Sequence, residues 1–157
     1  MFQRVLLATD FSEHARCAYR WALGLAKAGG GRIHLVHAVE EDFASAAPMI
    51  GAPLPGEVVD MARYREEFRE ASTGALEKEA DRLRAEGVEV QTHLLTDGRA
   101  WQTITAAADD LDCSVIVLAT HGRSGLAQLL IGSTTEKVVR HAKCPVLTVH
   151  QGDRGPD

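Results

Sequence analysis

Five short apolar runs alternate along the chain with segments of helical periodicity, and this alternation limits the fold more than any other feature. Apolar runs of strand length occupy approximately Arg4–Thr9, Arg32–Val39, Val88–Leu95, Val115–Ala119 and Val146–His150. Helix formers with an apolar spacing of about 3.6 residues fill the segments Ser12–Ala28, Glu57–Glu86, Ala100–Asp110 and Thr134–Ala142. This order predicts an α/β fold with an open, five-stranded parallel sheet and helices on both faces.

The pattern within each run indicates the order of the strands in the sheet. Val5–Ala8 and Val115–Ala119 are apolar without interruption, as expected for central strands that helices cover on both faces. Val88–Leu94 alternates apolar with polar residues, which is typical of an edge strand, and the fifth run is expected at the opposite edge. The predicted strand order is therefore 3-2-1-4-5. In this order the carboxyl ends of strands 1 and 4 border the crevice in which open α/β sheets bind ligands.

The size and charge of the chain exclude several classes of protein. Its 157 residues suit one domain, which we expect to span residues 1–150, followed by a flexible polar tail at residues 151–157. No apolar run reaches the roughly 20 residues of a membrane span, and the first residues lack the pattern of a signal peptide, so we expect a cytoplasmic protein. The formal net charge of −5 argues against a nucleic-acid partner, which normally requires a basic surface.

A glycine-rich loop joins the fourth run to the following helix, and its position predicts a phosphate site. Ser133-Thr-Thr-Glu136 has the form of a capping box, which places the start of this helix near Thr134. The first turn of a helix carries unpaired backbone N–H groups and the positive end of the helix dipole, so an anion near Gly132–Thr135 is stabilised. Asp10 follows the first strand and is expected to face this loop across the crevice.

Residues 119–133 resemble the nucleotide-binding signature of the universal stress protein family, Gly-x2-Gly-x9-Gly-Ser/Thr. Gly122, the nine-residue spacer, Gly132 and Ser133 match this signature, whereas Ala119 occupies the place of its first glycine. Alanine is the mildest replacement for glycine, but it disfavours positive backbone φ angles and adds a methyl group beside the expected ribose. The resemblance covers nearly the whole chain, since it extends to Val5–Ser12, Leu35–Val39 and Lys143–Val149.

The resemblance implies a Rossmann-like fold of the adenine nucleotide alpha hydrolase type, and a site for ATP, ADP or AMP with Mg²⁺ as an accompanying ion. It implies that Thr9 and Asp10 lie beside the ribose and the metal. The slot for adenine and ribose is then lined by Ala8, Ala38, Leu118 and Ala119. The phosphate path contains His121, Gly122, Arg123, Gly132, Ser133 and Thr134. Backbone N–H groups are expected to supply most of the phosphate contacts, with Arg123 adding a charge-assisted one.

Structural roles compete with these binding roles. Ser133 is equally explained as a helix cap alone, and Asp10 as the cap of the turn into Ser12. His121 is either a phosphate contact or a surface residue. The remaining histidines on strands are expected to pack in the core or to face solvent: His34, His37, His93 and His150.

Three functions are consistent with the sequence. The first is a regulatory, stress-response module that binds an adenine nucleotide and changes its contacts with an unidentified protein partner. The second is a slow Mg²⁺-dependent ATPase, although the Walker pattern Gly-x4-Gly-Lys-Ser/Thr is absent. The third is a dimeric interaction domain with a vestigial site.

Two surface features are relevant to partners. The resemblance implies a homodimer that pairs through Val146–His150, because an unpaired apolar strand edge is a natural pairing surface. The Phe43–Gly56 segment contains prolines, glycines and alanines and is predicted to be an unusually long loop. This loop is either a lid or partner contact, or a surface insertion without a role.

Overall fold

The computed structural model describes residues 2–40, 60–120, 132–150 and 152–153. Its strands are β1 (Arg4–Ala8), β2 (Arg32–Ala38), β3 (Glu89–Leu95), β4 (Val115–Ala119) and β5 (Val146–Val149). The helices of the described residues are α1 (Glu13–Arg16), α2 (Tyr19–Gly29), α3 (Met61–Arg84), α4 (Ala100–Asp110) and α5 (Ser133–His141). All strands are parallel and follow the order β3-β2-β1-β4-β5, which confirms the predicted fold class and strand order.

The centre of the sheet is fully buried. Val5, Leu6 and Leu7 of β1 are 0% exposed, as are Ile116 and Val117 of β4. These are the uninterrupted apolar runs that predicted central strands. The alternating strand β3 lies at one edge, where it pairs with β2 over seven residues, and β5 lies at the other.

Two apolar cores lie on opposite faces of the sheet, because successive side chains of a strand point to opposite faces. Leu7 belongs to the core that α2 and α3 cover, together with residues such as Ala22 and Leu76. Leu6 belongs to the core that α4 and α5 cover, together with residues such as Ile104. The two tryptophans each pack beside one core, Trp21 on the side of α2 and α3 and Trp101 on the side of α4 and α5.

The first helical segment differs from the continuous helix predicted over Ser12–Ala28. The amide of Cys17 bonds to the carbonyl of His14 at 3.2 Å, and the amide of Ala18 bonds to that of Ala15 at 3.1 Å. Each of these bonds joins an amide to the carbonyl three residues earlier, as in a 3₁₀ turn, and this tighter turn separates α1 from α2. The helix α2 ends at its C-cap Gly30, which has a φ of +59° and a left-handed conformation that suits glycine.

The long helix α3 spans Met61–Arg84 in the part of the chain that the structure describes. Its N-cap is Asp60, whose carboxylate accepts a hydrogen bond from the Arg63 amide at 3.1 Å. The predicted start at Glu57 and the Phe43–Gly56 loop lie outside the described residues. None of the described helices combines the length and apolar character that crossing a membrane requires.

Candidate functional site

A cavity of about 240 Å³ lies at the carboxyl ends of β1 and β4, where the strand order predicts a ligand crevice. We call it the β1/β4 pocket. Every described residue of the predicted site lines it: Ala8, Thr9, Asp10, Ala38, Leu118, Ala119, Gly132, Ser133 and Thr134. Three predicted site residues lie outside the described part of the chain: His121, Gly122 and Arg123. The lining also contains residues that were not predicted: Ala15, His37, Ala100, Ile104 and Thr135.

One part of the pocket is an apolar slot with small side chains. Ala8, Ala38 and Leu118 come from three neighbouring strands, and Ala100 and Ile104 come from α4. Methyl-sized side chains at strand ends leave room between sheet and helix that larger ones would fill. A slot of this kind accommodates the face of a flat, apolar ring such as a purine base.

Thr9 forms a tightly held wall of the pocket. Its amide donates to the carbonyl of Val36 at 2.9 Å, and its own carbonyl lies 2.8 Å from Nδ1 of His37. Its hydroxyl oxygen accepts from the amide of Phe11 at 3.0 Å and lies 2.9 Å from the hydroxyl of Tyr19. Phe11 has a φ of +66°, which turns the chain sharply behind Thr9. Every polar atom of Thr9 is thus engaged within the protein.

Asp10 caps the turn after β1 and also lines the pocket. Its Oδ1 accepts a hydrogen bond from the amide of Ser12 at 3.0 Å, so the carboxylate caps the turn, as one alternative predicted. The same residue lines the pocket, opposite the start of α5. Ser12 in turn caps α1, because its hydroxyl accepts from the amide of Ala15 at 3.1 Å. The turn therefore orients Asp10 without removing it from the pocket.

The start of α5 corrects the predicted capping box. Gly132 is the N-cap, Ser133 is already the first helical residue, and no side chain caps the helix. Glu136 pairs with Arg140 at 2.6 Å instead of reaching back to the N-cap. Two contacts with the end of β4 fix this start: the Gly132 amide donates to Thr120 and the Thr135 hydroxyl donates to Ala119. The first-turn N–H groups at the pocket therefore donate to no N-cap side chain, which favours an anion there.

The glycine positions of the signature have different physical explanations. Gly132 has a φ of −58°, which any residue adopts, but a Cβ atom on it would lie 3.2 Å from the carbonyl oxygen of Thr120. The close approach of two backbones, rather than the φ angle, is therefore what favours glycine here. Ala119 is the last residue of β4 and pairs with Val149, so its backbone is extended. The position does not use a positive φ angle, and alanine fits it without backbone strain.

His37 is a pocket residue that sequence reasoning assigned to packing or solvent. It is 8% exposed, its ring lies 4.3 Å from that of Phe11, and its Nδ1 contacts Thr9. The missed signal is its position at the carboxyl end of β2, beside the strand that carries Thr9 and Asp10. Ala100 and Ile104 were missed because their place depends on how α4 packs over the sheet.

The other strand histidines form no part of the pocket. His34 is buried, and its Nδ1 lies 3.1 Å from Nε2 of His93 on the neighbouring strand, so its expected packing role is confirmed. Burial lowers the pKa of both imidazoles, and the proximity of His93 lowers that of His34 further. His150 is exposed and lies 3.1 Å from the hydroxyl of Thr120.

Comparisons with known proteins agree with this architecture. The model of the universal stress protein family matches residues 1–150. A universal stress protein of Thermus aquaticus is 36% identical over 154 residues, which cover 95% of this chain and 99% of the relative. The solved structure of a universal stress protein of Methanocaldococcus jannaschii has a TM-score of 0.80 at 23% identity and covers 98% of this chain and 99% of its own. That of an Archaeoglobus fulgidus universal stress protein in complex with dAMP has a TM-score of 0.65 at 24% identity, covering 94% and 98%.

Proposed function

Because the chain belongs to the universal stress protein family, we propose that it is a regulatory module that binds an adenine nucleotide, with ATP as the main ligand, in the β1/β4 pocket. The observation that carries this proposal is the start of α5, where a helix without a side-chain cap borders an apolar slot. An apolar ring joined to an anion matches both features at once. The dAMP bound to the Archaeoglobus fulgidus relative has these two parts.

The residues of the pocket fit the parts of ATP. Ala8, Ala38, Leu118 and Ala119 would hold the base and ribose, and Gly132, Ser133 and Thr134 would hold phosphates through the helix start. Asp10 would coordinate a Mg²⁺ ion that is bound to the nucleotide, since Mg²⁺ is commonly held by a carboxylate together with phosphate oxygens. His121, Gly122 and Arg123 remain predicted members of the phosphate path.

Binding accounts for the described residues better than hydrolysis does. Phosphoryl transfer requires a base or a water-positioning group and a cation for the developing charge, in addition to the metal. Within the described lining, Asp10 is the only carboxylate, and its Oδ1 already accepts from Ser12. Slow Mg²⁺-dependent hydrolysis is therefore the alternative to be tested, and a vestigial site is the third.

Titration calorimetry with ATP, ADP and AMP, with and without Mg²⁺, tests the proposal. We expect saturable binding at one site per chain and no release of phosphate over several hours. Steady release of phosphate would favour the ATPase, and the absence of binding by all three nucleotides would favour the vestigial site. A protein that copurifies with adenine nucleotide would provide independent support.

We further propose that two copies pair through the outer edge of β5, which in the described part of the chain pairs with β4 alone. The carbonyls of Pro145 and Val149 accept hydrogen bonds from the amides of Ile116 and Thr120, so they point towards β4. Because successive residues of a strand direct their backbone groups to opposite sides, the N–H of Thr148 points to the outer edge. Thr148→Pro removes this donor and is expected to give a monomer in sedimentation at micromolar concentration. A wild-type protein that sediments as a 17.0 kDa monomer would refute the pairing.

A further inference from the structure

The hydroxyl of Thr9 is the first member of a buried polar chain that leads away from the β1/β4 pocket. It lies 2.9 Å from the hydroxyl of Tyr19 on α2, and both residues are less than 9% exposed. Burial is the main cause that raises the pKa of Tyr19 to about 12; the negative charge of Glu79 on α3 acts in the same direction, and the Thr9 hydrogen bond acts against it. The phenol therefore keeps its proton at neutral pH and lies within the field of the Glu79 carboxylate.

Glu79 is an unusual residue for the inner face of a helix, because its carboxylate is 4% exposed. Its Oε1 accepts from Nη2 of Arg16 at 3.0 Å and from Nη1 of Arg82 at 2.9 Å. Its Oε2 is buried and has no hydrogen-bond partner among the described residues. A buried carboxylate held in this way contributes little net stability, so its geometry calls for a second explanation.

Arg16 connects this carboxylate to the pocket by a second route. It is the last residue of α1, the four-residue helix that follows the turn at Asp10. Ala15, the preceding residue, lines the pocket, while the guanidinium of Arg16 reaches α3. Two routes thus lead from Glu79 to this pocket wall: a contact route through the Arg16 ion pair and α1, and an electrostatic one through the Tyr19 phenol, which lies in the field of Glu79 and contacts Thr9.

We propose that Tyr19 and Glu79 are positioning residues for the Thr9–Asp10 wall, and that occupancy of the pocket is coupled to the Arg16–Glu79 ion pair. This inference rests on the proposed nucleotide binding. A nucleotide that contacts Thr9, Asp10 and Ala15 holds the Thr9 hydroxyl and the helix α1 in place. It therefore stabilises the pairing of Arg16, the last residue of α1, with Glu79. By thermodynamic reciprocity, any change that favours this ion pair also strengthens nucleotide binding. The outer end of the chain is Arg82, whose side chain is 51% exposed on α3.

A double-mutant cycle in ATP affinity tests the coupling. Tyr19→Phe removes only the phenolic oxygen, and Glu79→Gln keeps the shape of the side chain without its charge. Each variant is expected to bind ATP about fivefold more weakly, the range set by one lost hydrogen bond. The double variant is expected to bind about as weakly as either single variant, because both changes loosen the same Thr9–Asp10 wall. Affinity is measured by calorimetry in the presence of Mg²⁺, under conditions where melting curves show each variant to be folded.

Glu77→Gln is the matched control on the same helix. Glu77 pairs with Arg84 at 3.0 Å and accepts from Thr92, so its loss disturbs α3 without touching the chain to the pocket. We expect it to lower the melting temperature and to leave ATP affinity unchanged. A second pair of variants gives a rescue test at the inner end: Thr9→Val should weaken ATP binding, whereas Thr9→Ser, which retains the hydroxyl, should restore it.

The outcomes separate this inference from the proposed function. A wild-type protein that binds no adenine nucleotide overturns both. A wild-type protein that binds ATP, with Tyr19→Phe and Glu79→Gln variants of equal affinity, overturns the coupling alone and leaves Glu79 with a purely structural role. Fully additive losses in the double variant also overturn it, because they show that the two residues act independently. If Tyr19→Phe fails to fold, the Thr9 pair and Glu79→Gln decide the question.

Discussion

The two walls of the β1/β4 pocket are built in different ways. At the Thr9–Asp10 wall, side chains and backbone are already bonded to one another, and Thr9 has a partner for each of its polar atoms. At the α5 wall, Gly132 begins the helix without a side-chain cap, and Ser133, Thr134 and Thr135 of its first turn line the pocket. The first wall is preorganised and the second offers donors that an anion satisfies. Under the proposed nucleotide binding, we expect the first wall to select and orient the ligand and the second to supply most of the attraction to its charge.

The largest expected effect comes from Gly132→Val, which changes the α5 wall. A Cβ atom at this position would lie 3.2 Å from the carbonyl oxygen of Thr120, so a branched side chain forces the helix start away from β4. Displacement of the first-turn N–H groups should weaken ATP binding by about 10- to 100-fold. This range is the free-energy cost of overpacking a tight contact, converted into a change in affinity. Titration calorimetry measures the change.

Gly74→Val is the control for this experiment. Gly74 lies in α3, and a Cβ atom on it would meet nothing within 4 Å. The same substitution there should leave ATP affinity unchanged. If Gly132→Val also binds ATP like the wild type, the helix start is not the phosphate site and the assigned division of roles between the walls is wrong.

Asp10→Asn tests the other wall with a smaller expected effect. The asparagine oxygen can still accept from the Ser12 amide, so the turn is kept while the charge is lost. With Mg²⁺ present, ATP affinity should fall about fivefold to tenfold, because a ligand of the ion is weakened. Without Mg²⁺ the affinity should stay equal or rise, since a negative charge near the phosphates is gone.

The dependence on Mg²⁺ is what separates the two roles of Asp10. An equal loss of affinity with and without the ion would show that Asp10 contacts the nucleotide itself or only shapes the turn. Circular dichroism and melting curves of Asp10→Asn should match the wild type, because the turn bond to Ser12 persists.

The sheet and its ligand crevice could be predicted because they depend on local patterns. The alternation of Val88–Leu94 places β3 at an edge, and the unbroken run Val115–Ala119 places β4 at the centre. A ligand crevice then follows from strand order alone, and the described site residues on strand ends and at the helix start line it. These inferences require no knowledge of side-chain packing between distant segments.

The parts that sequence reasoning missed depend on contacts between distant segments. Ala100 and Ile104 line the pocket because α4 crosses the sheet above Ala38, which no local pattern specifies. The capping box was wrong because two bonds to β4 start the helix at Ser133, one residue earlier than the motif implies. Buried polar groups such as Glu79 resemble ordinary surface charges in a mixed-charge helix. Their role emerges only when α1, α2 and α3 are placed together.

The smallest expected effect is a pH dependence of folding stability, which we expect to weaken the Thr9–Asp10 wall more than the α5 wall. His34 and His93 contact each other across β2 and β3, and burial lowers both of their pKa values from the usual value of about 6.5. The unfolded chain therefore binds more protons below this pH than the folded protein does. The stability contributed by keeping these two histidines neutral is fully present above about pH 6.5, and it is lost as the pH decreases towards their lowered pKa values in the folded protein. The urea midpoint should be lower at about pH 5.5 than at about pH 7.5, and His93→Gln should reduce this difference.

Because β2 also supplies the Val36 carbonyl and the His37 ring that hold Thr9, weakening of β2 should reach the Thr9–Asp10 wall first. The start of α5 is held instead by Thr120 and Ala119 at the end of β4. Hydrogen exchange at about pH 5.5 should therefore show earlier loss of protection at the Thr9 amide than at the Gly132 amide. Simultaneous loss at both amides would show that the walls open as one unit. The walls would then differ in the groups that they present to a ligand and not in their local stability.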